Sequence, residues 1–271
     1  MPRVLLGDLN VYYEVHGEGG PLILLHGLGS STRDWQFQLD EFAAHYQVIT
    51  LDLRGYGQTD HPPGPYSIRL MSQDVIALMD YLEISSFHLL GYSLGGAVAL
   101  QIAVDHAHRI DKLIVINSQP SFIPANWRQK VEYYMRKMVV GTMGVQRLAP
   151  VIAKRLFPYH DQQDLRDLVI DRYSQNDAQA YLATLDALIT WSIVPQLGKL
   201  HMPTLFIAAE HDYTPVEDKK RYVDQIPNAR MVVVENSRHG TPLDQPEVFK
   251  GHVLDFLGAA QSSSLTRPSV R

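Results

Sequence analysis

The chain has 271 residues and contains no cysteine. Disulfide bonds, thiolate catalysis and cysteine metal sites are therefore excluded, and this composition suits a reducing compartment. Long hydrophobic runs are also missing, because the apolar residues 4–6 are soon followed by Asp8 and no stretch of about eighteen uncharged apolar residues occurs. We therefore expect neither export nor a membrane span, and we predict a cytoplasmic protein.

A large excess of charge of either sign is absent as well. The 24 Lys and Arg residues against 29 Asp and Glu residues give a formal net charge of −5, and no basic run occurs. Nucleic acid is therefore not expected as a partner. Hydrophobic residues make up 45% of the chain and charged residues 20%, which is typical of a globular protein whose length allows one large domain with an inserted subdomain.

Short β-type runs alternate with helical periodicity along most of the chain. This alternation is typical of an α/β protein with a mostly parallel sheet and helices on both faces. Several of the runs are continuously apolar, as expected for central strands that are buried on both sides. The predicted strands are residues 3–7, 10–16, 21–25, 47–51, 87–90, 113–117, 204–208 and 230–234.

One segment interrupts the alternation. From about Gln119 to Leu197 the pattern is helical throughout, with no convincing strand. We interpret residues 119–197 as an inserted helical cap, and residues 1–118 together with 198–260 as the core domain. Residues 261–271 lose periodicity and are predicted to form a disordered tail.

One predicted cap helix carries a continuous apolar face, formed by Trp127, Val131, Tyr134 and Met138 at helical spacing. This face either packs the cap onto the core domain or lines a pocket, and in the second case Trp127, Tyr134 and Met138 bind substrate. Basic residues of the same region would suit an acidic substrate or carrier protein, but we interpret them as a solvated helix face. They are Arg128, Arg136, Lys137, Arg147, Lys154 and Arg155.

The segment Gly91-Tyr92-Ser93-Leu94-Gly95-Gly96 places a serine between glycines where an apolar strand gives way to a helix. A serine at the tip of such a turn has a strained backbone, which requires small residues two positions before and after it. Gly91 and Gly95 meet that requirement, and the turn then holds the hydroxyl clear of the sheet. The sequence therefore predicts Ser93 as a nucleophile.

A serine nucleophile needs a base, and His239 lies on the loop after the last predicted strand. An imidazole titrates near neutrality, so that it can take the serine proton and return it to a leaving group. Asp212 follows the preceding strand and is predicted to orient the imidazole and to stabilise its cation. Glu210 competes but lies nearer the strand, and the strand before that one ends in Asn117, which is not an acid.

Attack on a carbonyl creates an oxyanion, and the loss of one hydrogen-bond donor to it costs on the order of 3 kcal/mol. The segment His26-Gly27-Leu28-Gly29-Ser30-Ser31 follows a strand and precedes a helix. We assign the donors to the backbone N–H groups of Leu28 and Leu94, the latter at a helix N-terminus that favours anions. His26 is a second candidate base, and we interpret it as a brace of this segment.

These motifs together resemble the α/β-hydrolase superfamily, in its branch of esterases and lactonases with a helical cap. The resemblance covers nearly the whole chain and implies an α/β-hydrolase fold with a mostly parallel eight-stranded sheet, helices on both faces and an inserted helical cap. It also implies the chain order serine, acid, histidine. The motifs are His26-Gly27-x-Gly29, Asp52-x-Arg54-Gly55-x-Gly57, Gly91-x-Ser93-x-Gly95-Gly96, Asp212 with Pro215, and His239 with Gln245-Pro246-Glu247.

The resemblance implies a serine hydrolase that cleaves carboxylic esters or lactones of small, largely apolar substrates. It would act through an acyl-enzyme on Ser93 and need no metal or cofactor. The most similar subgroups are enol-lactonases, carboxylesterases and pimeloyl-carrier-protein methyl esterases. Two alternatives stay open: carbon–carbon hydrolysis or acyl transfer with the same triad, and a ligand receptor on a hydrolase scaffold. The expected partner is a small-molecule ester or lactone, with neither nucleic acid nor membrane.

Overall fold

The structure is a computed structural model that describes residues 2–259. Its centre is an eight-stranded sheet in the order β1-β2-β4-β3-β5-β6-β7-β8. Strand β2 is antiparallel to both of its neighbours, and all other neighbouring strands are parallel, which confirms the predicted sheet. The strands are β1 Arg3–Leu6, β2 Leu9–His16, β3 Pro21–Leu25, β4 Gln47–Leu51, β5 Phe87–Tyr92, β6 Ile110–Ile116, β7 Thr204–Ala209 and β8 Ala229–Val234.

Ten α-helices accompany the sheet within the described residues. They are α1 Leu39–Ala43, α2 Ile68–Tyr81, α3 Leu94–Asp105, α4 Trp127–Met143, α5 Val145–Leu156, α6 Gln163–Ser174, α7 Ala178–Ile189, α8 Val216–Val223, α9 Thr241–Asp244 and α10 Pro246–Leu257. None of these helices is long and apolar enough to cross a membrane.

Strand β3 illustrates how the sheet is covered on both faces. Ile23 and Leu25 belong to a cluster with apolar side chains of α2 and α3, whereas Leu22 and Leu24 pack with those of α1 and α10. All four side chains are fully buried. Because successive residues of a strand point to opposite faces, a strand covered on both sides needs apolar residues at every position.

Helices α4–α7 form an insertion between β6 and β7. At its base, an antiparallel bridge joins Ser121 to Ser192, and the N–H of Ile193 donates to the carbonyl of Pro120 at 2.9 Å. The chain therefore leaves and re-enters the core at one point. The insertion lies within the predicted cap, 119–197, while the predicted tail, 261–271, lies outside the described residues.

The carboxyl ends of β5, β7 and β8 lie at one edge of the sheet, because these strands are parallel. Ser93 directly follows β5, Asp212 follows β7, and His239 lies on the loop after β8. This loop, residues 235–240, is called the histidine loop below. The fold thus brings three distant parts of the chain to the same edge.

Candidate active site

Ser93 occupies the turn between β5 and α3, with φ of 52° and ψ of −109°. A non-glycine residue in such a conformation costs on the order of 1–3 kcal/mol, so the surroundings must hold it. The N–H of Ser93 donates to the carbonyl of Ile116 at 2.9 Å, and the Ser118 hydroxyl donates to the Ser93 carbonyl at 2.7 Å. A Cβ on Gly91 or Gly95 would collide with backbone atoms, which is why glycines flank the serine.

Ser93, His239 and Asp212 form one hydrogen-bonded chain. Nε2 of His239 lies 2.9 Å from the Ser93 hydroxyl oxygen, and Nδ1 lies 2.5 Å from Oδ1 of Asp212. The tautomer with its proton on Nδ1 donates to the carboxylate and leaves Nε2 as an acceptor for the serine proton. The structure therefore unites the three residues that the sequence predicts, and their catalytic roles stay a prediction.

The second oxygen of Asp212 accepts a hydrogen bond from Lys219 on α8, whose amine also donates to the Thr214 carbonyl at 3.0 Å. The side chains of Asp212 and Lys219 are each 1% exposed. Burial alone would raise the pKa of Asp212, but the charges of His239 and Lys219 lower it to about 2. The carboxylate is therefore ionised at neutral pH.

Lys219 is not among the site residues that the sequence predicts. Its burial and its contact with Asp212 depend on the tertiary packing of α8, which the local sequence does not reveal. A lysine there needs a carboxylate partner, and Asp212 supplies it.

Glu210, the competing carboxylate, has different partners. Its Oε2 accepts the N–H of Asn236 at 2.8 Å, and its side chain is 44% exposed. The hydrogen bond to Nδ1 of His239 comes from Asp212 instead.

Asn117, at the end of β6, is a structural link to the histidine loop. Its Nδ2 donates to the carbonyl of His239 and to the hydroxyl of Thr241, each at 2.8 Å. Its Oδ1 accepts the N–H of Ala209 at 2.8 Å. One amide side chain therefore joins the ends of β6 and β7 to the loop that carries the imidazole.

The predicted oxyanion donors belong to two separate segments of the chain. Leu94 is the first residue of α3, and Leu28 lies in the segment 26–31, called the oxyanion loop below. Neither backbone N–H donates a hydrogen bond to another described residue. Amides without an internal acceptor, one of them at a helix N-terminus, suit a developing negative charge, and the assignment stays a prediction.

His26 is fully buried, and both of its ring nitrogens are bonded to the backbone. Nε2 accepts the N–H of Leu53 at 2.9 Å, and Nδ1 donates to the carbonyl of Gly27 at 2.8 Å. No nitrogen is left for proton transfer, which agrees with its interpretation as a brace. Asp52 braces the same region, since it accepts the N–H of Thr32 at 2.7 Å.

Helix α6 of the insertion is hydrogen-bonded to the oxyanion loop. The hydroxyl of Tyr173 donates to the carbonyl of Leu28 at 2.5 Å, and Nδ2 of Asn176, just after α6, donates to the carbonyl of Gly29 at 2.9 Å. Both hydrogen bonds are made to backbone carbonyls of the oxyanion loop, which carries one of the two predicted oxyanion donors. The position of this loop therefore depends on the insertion as well as on the core.

A buried ion pair strengthens the same connection. Arg172 of α6 lies 3.3 Å from Asp34, and their side chains are 3% and 7% exposed. Asp34 also accepts the N–H of Gly27 at 3.1 Å and the hydroxyl of Ser30. Removal of one partner from such a pair leaves a buried charge and costs about 3–5 kcal/mol.

Tyr213 stacks on the imidazole of His239, and the guanidinium of Arg155 from α5 lies 4.4 Å from the centroid of the same tyrosine ring. Tyr213 is not predicted from the sequence; its signal is the position directly after Asp212.

The three cap residues predicted to bind substrate lie on an exposed side of α4. Trp127 is 69% exposed, Tyr134 64% and Met138 55%, whereas Tyr133 and Val140 of the same helix are buried. The alternative that these three side chains pack the cap onto the core domain is therefore wrong. No hydrogen bond or ring contact joins them to Ser93 or His239 among the described residues, and substrate contact stays a prediction.

Within residues 2–259, no group of three or more His, Asp or Glu side chains is arranged to hold a metal ion. The independence from metals and cofactors stays a prediction. The site joins a hydroxyl, an imidazole and an ionised carboxylate in one chain of hydrogen bonds, and nucleophilic acyl transfer can use such a chain.

Comparisons with known proteins identify the fold family of the chain. A family model described as alpha/beta hydrolase fold matches residues 20–246. A protein of Azorhizobium caulinodans named as a carbamate hydrolase, RutD, is 27% identical over 266 residues, which cover 95% of this chain and 98% of that protein. The 3-oxoadipate enol-lactonase 2 of Acinetobacter baylyi is 29% identical over 89% of this chain and 91% of its own length.

Among solved structures, the enol-lactonase from Burkholderia xenovorans LB400 superposes with a TM-score of 0.89. The match covers 95% of this chain and all of that one, at 24% sequence identity. At this identity the likeness shows the fold alone, including the helical insertion.

Proposed function

Because the chain belongs to the alpha/beta hydrolase fold family, we propose that it is a serine hydrolase of carboxylic esters or lactones with small, largely apolar substrates. The observation that carries this proposal is the chain of hydrogen bonds from Asp212 through His239 to the Ser93 hydroxyl. The names of the relatives support it, since an enol-lactone and a carbamate both contain an acyl carbon bonded to a heteroatom.

In the first step, the Ser93 oxygen attacks the carbonyl carbon of the substrate while Nε2 of His239 accepts the hydroxyl proton. The carbonyl π electrons move to oxygen, and the N–H groups of Leu28 and Leu94 donate to the resulting oxyanion. Asp212 stays ionised and stabilises the imidazolium through Nδ1–H.

The tetrahedral intermediate then collapses. The carbon–oxygen bond to the leaving group breaks, and the imidazolium of His239 gives its proton to that oxygen. An ester releases an alcohol at this point, whereas a lactone leaves a hydroxyacyl chain on Ser93. Water activated by His239 attacks the acyl-enzyme in the second half-reaction and releases the acid.

The test is a turnover measurement with p-nitrophenyl acetate, p-nitrophenyl butyrate and γ-butyrolactone on the wild type and on Ser93→Ala. We expect hydrolysis by the wild type and a loss on the order of 10⁴ in kcat for the variant. A fluorophosphonate probe should add one adduct mass to the wild type, located on the peptide that contains Ser93, and none to the variant.

The alternatives make different predictions in the same assay. An acyltransferase would give ester products when a competing alcohol is added, and a carbon–carbon hydrolase would turn over dienone acids faster than esters. A ligand receptor would bind without rapid turnover. A Ser93→Ala variant that keeps a tenth of the wild-type ester activity contradicts the proposal.

A further inference from the structure

Helix α4 carries an apolar stripe on its solvent side. Trp127, Val131, Tyr134, Met135 and Met138 are each at least 50% exposed. At 3.6 residues per turn, these five side chains fall within an arc of about 100° on one side of the helix. We call this set the α4 stripe. An amphipathic helix normally turns such a stripe towards the core, so its exposure indicates a partner that covers it.

The opposite side of α4 packs against the rest of the protein. Tyr133 and Val140 are buried there, and the Nε atom of Arg136 is fully buried. The interpretation of the cap's basic residues as a solvated face is therefore wrong for Arg136. Because α4 is already packed through this side, the α4 stripe is not needed to hold the helix in place.

Exposed hydrophobic side chains are concentrated on α4. Among the described residues, sixteen large hydrophobic side chains are exposed, and five of them form the α4 stripe. Single exposed hydrophobic residues are normal in globular proteins, whereas a contiguous patch marks a binding surface. The α4 stripe is therefore a candidate binding surface.

Positive charge borders the α4 stripe on both sides. Arg128 and Lys130 lie next to it on the helix circumference; both are exposed, and neither forms an ion pair within residues 2–259. The guanidinium of Arg128 lies 5.6 Å from the centroid of the Trp127 ring. Glu132 is the one acidic residue of α4, and it pairs with Arg155 of α5. A fitting partner is therefore apolar at its centre and negatively charged around it.

Helices α4 and α5 are basic, although the chain as a whole is acidic. Residues 127–156 contain seven Lys and Arg residues and one acidic residue, a formal net charge of +6, whereas the whole chain carries −5. The positive field is therefore local to this part of the insertion. Such a field turns this part of the protein towards a negatively charged surface.

A second copy of the chain fits the α4 stripe poorly. In a two-fold pair of α4 helices, the basic borders of both copies would lie along the same contact and repel each other. An anionic lipid surface fits better. Rings of Trp and Tyr lie at the level of the lipid headgroups, and flexible Met side chains adapt to an irregular surface.

We propose that the α4 stripe, together with Arg128 and Lys130, attaches the protein to the surface of an anionic lipid bilayer. The apolar side chains enter the boundary between headgroups and acyl chains, and the two cations contact the lipid phosphates. The expectation of no membrane partner rests on the lack of spanning segments, and attachment at the surface needs none. Attachment is also independent of the proposed hydrolysis, because it needs no turnover.

The test is co-sedimentation of the wild type with two kinds of vesicle. One consists of equal parts of phosphatidylcholine and phosphatidylglycerol, and the other of phosphatidylcholine alone. We expect at least about tenfold stronger binding to the first kind, because each basic residue near an anionic surface contributes about fivefold. High salt should weaken this binding. Equal binding to the two kinds of vesicle, or binding to neither, would overturn the inference.

The fluorescence of Trp127 shows whether the α4 stripe is the surface that binds. Trp127 is 69% exposed, whereas the other two tryptophans, Trp35 and Trp191, are buried. Anionic vesicles should move the emission of the wild type to shorter wavelength, because the indole of Trp127 leaves water. Trp127→Phe should still bind and should lose this spectral change. Sedimentation with the vesicles at unchanged emission would mean that another surface binds, and the inference would be overturned.

Two double variants test the apolar and the charged residues separately. Trp127→Ala with Met138→Ala should lower the affinity for anionic vesicles at least about tenfold, because much of the apolar area that enters the lipid is removed. Arg128→Gln with Lys130→Gln should lower it by a similar factor. If either double variant stays within about twofold of the wild type, the inference is overturned.

The matched controls change exposed residues outside the insertion. Leu5→Ala with Val248→Ala shortens two exposed hydrophobic side chains, and Arg3→Gln with Lys199→Gln removes two exposed positive charges. We expect both controls to keep the wild-type affinity. An equal loss of affinity in the controls and in the α4 variants would mean a general surface effect and would overturn the inference.

Sedimentation velocity without vesicles tests the second copy as the occupant of the α4 stripe. We expect the wild type and Trp127→Ala with Met138→Ala to have the same oligomeric state. Self-association of the wild type that is lost in this variant would show that the α4 stripe joins two copies of the chain, and the inference would be overturned.

Discussion

The ring of Tyr213 stacks on the imidazole of His239, with centroids 4.4 Å apart and planes inclined by 23°. Two groups cannot occupy one face of a ring, so the guanidinium of Arg155 covers the other face of the tyrosine. The stack restricts rotation of the imidazole, and the negative π-face of the tyrosine favours the imidazolium that forms during proton transfer. We therefore expect Tyr213 to act as a positioning residue for His239, the proposed base.

Tyr213→Ala should lower kcat by about 3- to 10-fold, the equivalent of one stacked aromatic pair, and leave KM for a small neutral ester nearly unchanged. Tyr213→Phe keeps the ring and should stay within about twofold of the wild type. Steady-state kinetics on p-nitrophenyl butyrate measures both. If the phenylalanine variant is as slow as the alanine variant, the hydroxyl and not the stack is responsible.

Ser93 and His239 should behave as a unit, because the serine proton has no other acceptor. Ser93→Ala and His239→Ala should each lower kcat on the order of 10⁴-fold, and the double variant should be little slower than either. Circular dichroism checks that each variant is folded. If the two losses in kcat multiplied in the double variant, Ser93 and His239 would act independently, and the prediction would be wrong.

Asp212→Asn should lower kcat by about 10³- to 10⁴-fold, because an amide in place of the carboxylate favours the wrong tautomer of His239. Glu210→Gln is the matched control, because Glu210 lies on the same loop as Asp212. Its carboxylate accepts a hydrogen bond from Asn236 and not from His239. The kcat of this variant should stay within about twofold of the wild type. The reverse result would identify Glu210 as the acid.

The buried carboxylate of Asp212, which is paired with His239 and with Lys219, should make stability depend on pH. The pKa of Asp212 is lower in the folded chain, about 2, than in an unfolded chain, so its contribution is present above about pH 4 and is lost as pH falls towards 2. We expect the free energy of unfolding to fall by about 2 kcal/mol through this group. Urea titrations at steps from about pH 6 to 2.5 measure it.

The variant for this measurement is Asp212→Asn with Lys219→Met, which removes both charges of the buried Asp212–Lys219 pair. In this double variant, the free energy of unfolding should not show the decrease at low pH that is due to Asp212. Asp255→Asn with Arg230→Met removes an exposed pair and should keep the wild-type pH dependence, since exposed pairs contribute little. A pH dependence that is equal in all three proteins would contradict the assignment.

The exposed face of α4 is tested by a series of p-nitrophenyl esters from acetyl to hexanoyl. If Trp127 and Met138 bound the acyl chain, kcat/KM would rise about three- to fourfold per carbon and the rise would be lost in Trp127→Ala with Met138→Ala. Because both side chains are more than half exposed, we expect the double variant to keep the wild-type series. If kcat/KM increased less with chain length in the double variant than in the wild type, Trp127 and Met138 would contact the acyl chain of the substrate.

All eight strands are predictable from the sequence, because each is a short β-type run and several of the runs are continuously apolar. The beginning of β6 differs, since the strand begins at Ile110 and the prediction begins at 113. Asp111 and Lys112 interrupt the apolar pattern there. The amine of Lys112 donates to the carbonyls of Phe256 and Leu257, a contact at the end of α10 that local pattern cannot reveal.

The same limit applies to the site. Ser93 and His239 lie in recognisable local settings, a serine turn and a loop after the last strand. Lys219 does not, because its importance depends on which other elements α8 packs against. Periodicity shows that Trp127 and Met138 share one face of α4, but not that this face points to solvent.

The hydrogen bonds from Tyr173 and Asn176 to the oxyanion loop restrict how this scaffold can be re-engineered. A helical insertion transplanted from another hydrolase would carry its own side chains at these positions and at Arg172, and the buried charge of Asp34 would lose its partner. A chimera that exchanges only α4–α7 would therefore change reaction rate along with specificity. Exchange of the insertion together with residues 26–34 would transfer the two properties as one unit.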